Sequence, residues 1–188
     1  MKLKSRLAVG LLGAALALSA QAGSNVTDPN LPRSLPADGP VGVSWSDPAK
    51  FTDLRASGNR WEAERGDWVQ QLAQYARTSA TKQLAPGEKL EITITDIQRA
   101  GRYEPWLGPQ FHDVRMIRDR YPPRMTLTYT LYGTDGQVLA QNERKLNDMG
   151  FLLGSTPLNS TDPLRYEKRM IDGWARRDLG PRRLVGNR

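Results

Sequence analysis

The chain has 188 residues, with 27 Lys and Arg against 20 Asp and Glu, one His and no Cys. Without a thiol there is no disulfide, no Cys nucleophile, no cysteine zinc site and no lipidated cysteine, and a single His excludes an HExxH pair or a multi-histidine metal cage. The formal charge of +7 sits at the two ends: Lys2, Lys4 and Arg6 carry three units, Arg176 to Arg188 carries four, and the body between them is neutral. Nucleic-acid binding leaves a basic stripe on a folded surface, so no such partner is expected.

Residues 1–22 have the three parts of a secretory signal: a basic start, an apolar run from Leu7 to Leu18, and small residues at Ser19-Ala20-Gln21-Ala22. Cleavage is expected after Ala22. The apolar run is shorter than the roughly 20 residues a membrane span needs, so no transmembrane segment is expected. Residues 23–40 hold Pro29, Pro32, Pro36 and Pro40 with Asn, Asp and Gly and no apolar period, the composition of a flexible linker.

From residue 41 the pattern becomes that of a folded domain, expected to extend to about residue 180. Val41, Val43 and Trp45 alternate with small residues, which predicts a first strand. Trp61, Trp68, Leu72 and Ala76 recur at helical steps after the N-cap candidate Asn59, which predicts one helix over 60–84, with both Trp in the core. Leu90, Ile92 and Ile94 alternate with Glu91, Thr93 and Thr95 in a second strand over 89–97. Two further strands, 125–132 and 138–146, flank the turn Gly133-Thr134-Asp135-Gly136 as a hairpin. A closing helix over 162–179 places Tyr166, Met170 and Trp174 on one face, with Asp162 as its cap. The order is β-α-β, a long connection, then β-β-α. It predicts one α+β domain, a small mixed or antiparallel sheet with two helices on one face, followed by a basic tail over 181–188.

Val43-Ser44-Trp45-Ser46-Asp47-Pro48, Asp96-Ile97, Gly101 with Glu104-Pro105-Trp106, Asp113-Val114-Arg115, Tyr121-Pro122-Pro123-Arg124, Asp135-Gly136 and Asp162-Pro163-Leu164-Arg165-Tyr166-Glu167-Lys168 follow one another in a single order. In that combination the chain resembles domain-of-unknown-function family 3016, a group of exported bacterial proteins. The resemblance implies a periplasmic protein of a Gram-negative cell. It implies no activity, and no catalytic residue comes with it. More loosely, the element order is similar to small α+β accessory domains of envelope assembly systems, an analogy of fold alone.

The connection from Gln98 to Arg124 is too long for plain scaffold, and such segments are often functional. It carries Arg99, Arg102, Arg115, Arg118, Arg120 and Arg124 with Trp106, the lone His112 and Tyr121. Arg forks hold carboxylates or phosphates, and aromatic faces stack on sugars or cations. The candidate binding residues are therefore Arg99, Trp106, His112, Arg115, Arg118 and Tyr121, with an envelope protein or an anionic glycan as partner. The plainer expectation is a short strand near 114–118 whose arginines point outward to Asp113 and Asp119 as surface ion pairs. No catalytic residue, metal ligand or cofactor is assigned. His112-Asp113 lacks a nucleophile motif. An envelope hydrolase using paired carboxylates would draw on Asp96, Asp113, Asp119 or Asp148, and no spacing selects a pair.

Overall fold

The computed structural model describes residues 25–153 and 161–180. The expected signal peptide and basic tail lie outside the described residues. Strand β1 (Val41–Trp45) is followed by short helices α1 (Thr52–Arg55) and α2 (Arg60–Glu64) and the long helix α3 (Trp68–Thr81). Next come β2 (Lys89–Gln98), the two-residue strands β3 (Arg102–Tyr103) and β4 (Arg115–Met116), β5 (Arg124–Tyr132), β6 (Val138–Asn147) and helix α4 (Arg165–Asp178). The main sheet runs β1-β2-β5-β6, with β1 parallel to β2 and the other pairs antiparallel; β3 and β4 form a separate ribbon. This is the mixed α+β fold that the periodicity predicts.

The alternation of side chains decides which face of the sheet is covered. Val41 and Val43, then Leu90, Ile92 and Ile94, then Met125, Leu127 and Leu131 are all buried at 3% exposure or less. Their neighbours Thr95, Thr128 and Glu91 face outward. Against the apolar face pack Leu72, Ala73, Ala76 and Ala80 of α3 and Met170, Ile171, Trp174 and Ala175 of α4. Each large aliphatic removed from water stabilises the fold by roughly 1.5–3 kcal/mol, so the sheet-helix layer dominates its energetics. Tyr129 meets Trp174 edge-on at 5.8 Å. Asp172 joins the two helices, accepting from Tyr75 Oη at 2.8 Å and Ser79 Oγ at 2.6 Å. Burial, aided by that carboxylate, pushes the Tyr75 phenol up to about 12.

Three expectations are corrected. The single helix over 60–84 is two, because Arg65 is extended and Gly66 takes a φ of +88°, which turns the chain between α2 and α3. Trp61 consequently leaves the core and is 67% exposed, whereas Trp68 stays buried. The closing helix starts at Arg165 rather than Asp162; Asp162 instead sets the preceding turn, accepting from Leu164 N at 2.9 Å and pairing with Lys168 at 2.6 Å.

The third correction concerns the linker. Residues 25–40 lie as a strap along the body, with Val26 and Leu35 inside the main core. Leu35 N donates to Val43 O and Trp45 N to Arg33 O, both at 2.9 Å, so the strap pairs with the outer edge of β1. Lone apolar residues among prolines carry no periodic signal, which hides this docking from composition.

Candidate functional site

The connection between β2 and β5 is built around two buried carboxylates that the charge pattern does not single out. Its geometry starts in β2, where a bulge between Ile94 and Asp96 shifts the register. Asp96 accepts from Thr52 N at 2.6 Å and from Thr52 Oγ1 at 2.7 Å. That contact fixes the start of α1 and sets the next residue, Asp53, over the end of β2.

Asp53 is 1% exposed at its side chain. It accepts from Arg99 N, Nε and Nη2 at 2.9, 3.0 and 2.7 Å, and from Arg115 Nη2. The guanidiniums are themselves braced. Arg99 lies 4.1 Å over the Trp68 ring and shares Ala63 O with the Trp68 indole N–H. Arg115 lies 5.4 Å over Tyr103 and donates to Ala100 O at 2.8 Å. Burial alone would raise the Asp53 carboxyl, but the two cations outweigh it and hold it below the usual carboxylate range.

Glu104 is the second centre. It accepts from Tyr121 Oη at 2.8 Å, Arg120 Nη2 at 2.7 Å and Arg118 Nη2 at 2.8 Å. Those three side chains are its cover. Glu104 is 0% exposed while Arg118 and Arg120 remain 39% and 58% exposed, so the carboxylate is shielded at the surface rather than sunk in the core. Desolvation would raise its pKa; the hydrogen bonds from Tyr121, Arg120 and Arg118 bring it below the ordinary glutamate value.

A third acid, Glu167 on α4, reaches the same corner. Its Oε1 accepts from Ala100 N at 2.6 Å, and its Oε2 is buried without a partner. Burial raises its pKa in spite of the Ala100 bond and the nearby Arg115 and Arg99. The two guanidiniums nearest Glu167 are already committed to Asp53.

The structure therefore groups Arg99 with Arg115 and Arg118 with Tyr121, each pair on a carboxylate outside the candidate set. The expectation of arginines turned outward to Asp113 and Asp119 is overturned at Arg115, which points inward from β4. His112 stands apart at 54% side-chain exposure, with Nδ1 3.1 Å from both Asp113 Oδ1 and Asn59 Nδ2. Trp106 is 63% exposed on a short 3-10 turn, Pro105–Leu107. Phe111 follows on the next turn, and Asn59, the α2 cap, ties that turn to α2 through His112 O at 3.1 Å. Gly58 lets these parts close up: a Cβ there would sit 2.3 Å from Tyr103 O.

Asp53, Glu104 and Glu167 are what residue patterns missed. For Asp53 the one signal was the surplus of Arg over acid in 98–124, since arginines that become buried need a counter-charge from elsewhere in the chain. Of the four hydrolase candidates, Asp96 caps α1, Asp148 pairs with Arg169 at 2.7 Å, Asp113 accepts from Asn59 and Asp119 from Arg120 N. The space beside Asp53, bordered by Thr52, Ser57, Gln98 and Tyr121, is only about 50 Å³, room for a water or two. Among the described residues there is no group of three His, Asp or Glu suited to a metal ion, and no helix is long and apolar enough to cross a membrane.

Fold and site together define a small α+β domain carrying an ion-pair-braced excursion between two paired strands. The chain belongs to the protein family of unknown function DUF3016, which matches residues 39–177. No curated protein and no solved structure matches it.

Proposed function

We propose that the protein is exported to the periplasm of a Gram-negative cell and acts there as a non-enzymatic binding module of the envelope. Its contact surface is the 98–124 excursion, and its partner is an envelope protein. The observation that carries this reading is the exposure of Trp106 on a segment whose backbone two buried carboxylates hold in place. A large aromatic on a braced turn spares the backbone-ordering cost when a partner covers it, and its two side-chain torsions leave little more to lose, which suits an interface anchor. Phe111, Val114 and Ile117, each 40–45% exposed, extend the apolar surface along the same segment.

The test is in-cell photocrosslinking from position 106, with N-terminal sequencing of the chain recovered. One dominant protein adduct, a first residue of Gly23 and loss of the adduct from position 111 in Trp106→Ala support the reading. A chain that retains residues 1–22, or that is exported and folded yet yields no protein adduct, overturns it.

A further inference from the structure

The strap and the body enclose a cleft of about 380 Å³ whose lining includes none of the excursion's residues or carboxylates. At one end Val26 N donates to Glu64 O, and Asn25 bridges to Arg65. At the other, Arg33 and Leu35 pair with Trp45 and Val43. Residues 27–32 arch between these ties. They are stiffened by their own turns, in which Asn25 Oδ1 accepts from Thr27 N at 3.0 Å and Asp28 Oδ1 from Asn30 N at 2.9 Å. The arch contributes Leu31 and Pro32 to the lining, Pro36 follows beyond the second tie, and the body contributes Trp45, Pro48 and Val69. A cleft of this size, walled by apolar and aromatic groups with a few polar ones, has the character of a small-molecule site.

Its charge selects the ligand. Asp28 and Asp67 line the cleft, and neither is in an ion pair among the described residues. Among the described lining residues the one cation, Arg33, is paired to Asp47 at 3.2 Å. The start of α3 also opens here, and its half-unit of positive charge is offset by Asp67 at the cap position. Net negative charge remains, with the apolar edge of Trp45 beside it. We infer that this cleft binds a small organic cation with an apolar body, an aryl- or alkylammonium ion.

The test uses protein purified after expression of the full sequence, with amide and indole NMR shifts as readout. Phenethylammonium, 2-phenylethanol and phenylacetate share a ring and differ in charge. Phenethylammonium is expected to saturate the shifts of the Trp45 indole and the Val69 amide with a Kd of about 1 mM, ordinary for a ligand of that size. It should bind about tenfold tighter than the alcohol, with phenylacetate weakest. Asp28→Asn with Asp67→Asn keeps both side-chain shapes and should erase the tenfold preference. Absence of saturable shifts at about 10 mM, phenylacetate binding as well as the ammonium, or an unchanged preference in a folded double variant would each overturn the assignment. If the double variant does not fold, the probe series on the unaltered chain decides alone.

Discussion

Replacing Asp53 with Ala leaves two guanidiniums facing each other across an empty site. Arg99 and Arg115 are only 13% and 19% exposed at their side chains, so water can do little to screen them. Removing one partner of a buried ion cluster costs about 3–5 kcal/mol, which is a third or more of the stability of many domains. Urea unfolding followed by tryptophan fluorescence reads the cost, provided the slope m is unchanged. A triple variant, Asp53→Ala with Arg99→Met and Arg115→Met, should regain most of the loss, because it removes the stranded charges as well. The linkage also has a sign. Asp53 has a lowered folded pKa, so its contribution is present above the unfolded value near 3.9 and is lost as pH falls through the folded value. Asp53→Asn should flatten that acid limb. A penalty of about 1 kcal/mol or less for Asp53→Ala would place the cluster in the class of surface pairs and refute the reasoning.

Glu167 has the opposite sign: its folded pKa is raised, so its contribution holds below the unfolded value near 4.3 and fades as pH rises through the folded value. Glu167→Gln should therefore match the parent at low pH and be relatively more stable at pH 7, as measured by unfolding at both. At Gly101, where φ is +79°, a Cβ would lie 2.8 Å from Met116 O; Gly101→Ala should cost about 1–3 kcal/mol in urea, a cost that Gly136→Ala, with open space around it, should undercut. Trp174→Ala should lose about 3–5 kcal/mol, while Trp174→Phe loses much less, because it also removes a buried indole N–H that has no partner. Trp106→Ala should leave the unfolding midpoint within about 0.5 kcal/mol of the parent, since its ring is mostly in water.

What was legible followed from whether one face is buried. β1, β2 and β5 read clearly because apolar and polar side chains alternate strictly across the layer that α3 and α4 cover. Asp135-Gly136 marked its hairpin because Gly136 needs a φ of +80°. The break at Gly66 was hidden because Trp61 and Trp68 are seven residues apart, two full helical turns, and the spacing alone suggests one stripe. Residues 26 and 35 docked without a periodic signal. At the site, the cationic surplus and the unpartnered Trp106 were visible. Asp53 was not, because its partners are 46 and 62 residues away and meet it through the end of β2 and the separate β3–β4 ribbon.

The ladder between β2 and β5 has a consequence for how this family can vary. Gln98 and Arg124 are directly paired across it, so everything between them leaves the sheet and returns to the same rung. A tight hairpin would close that rung equally well. The closure entropy of such a detour grows only with the logarithm of its length, about 0.6 kcal/mol per doubling. By this term alone insertions and deletions there cost little, provided that they keep Arg99 and Arg115 on Asp53 and Arg118, Arg120 and Tyr121 on Glu104. Chain length between these anchors is therefore weakly constrained by closure entropy, and the constraint that remains is the geometry of the two carboxylate clusters.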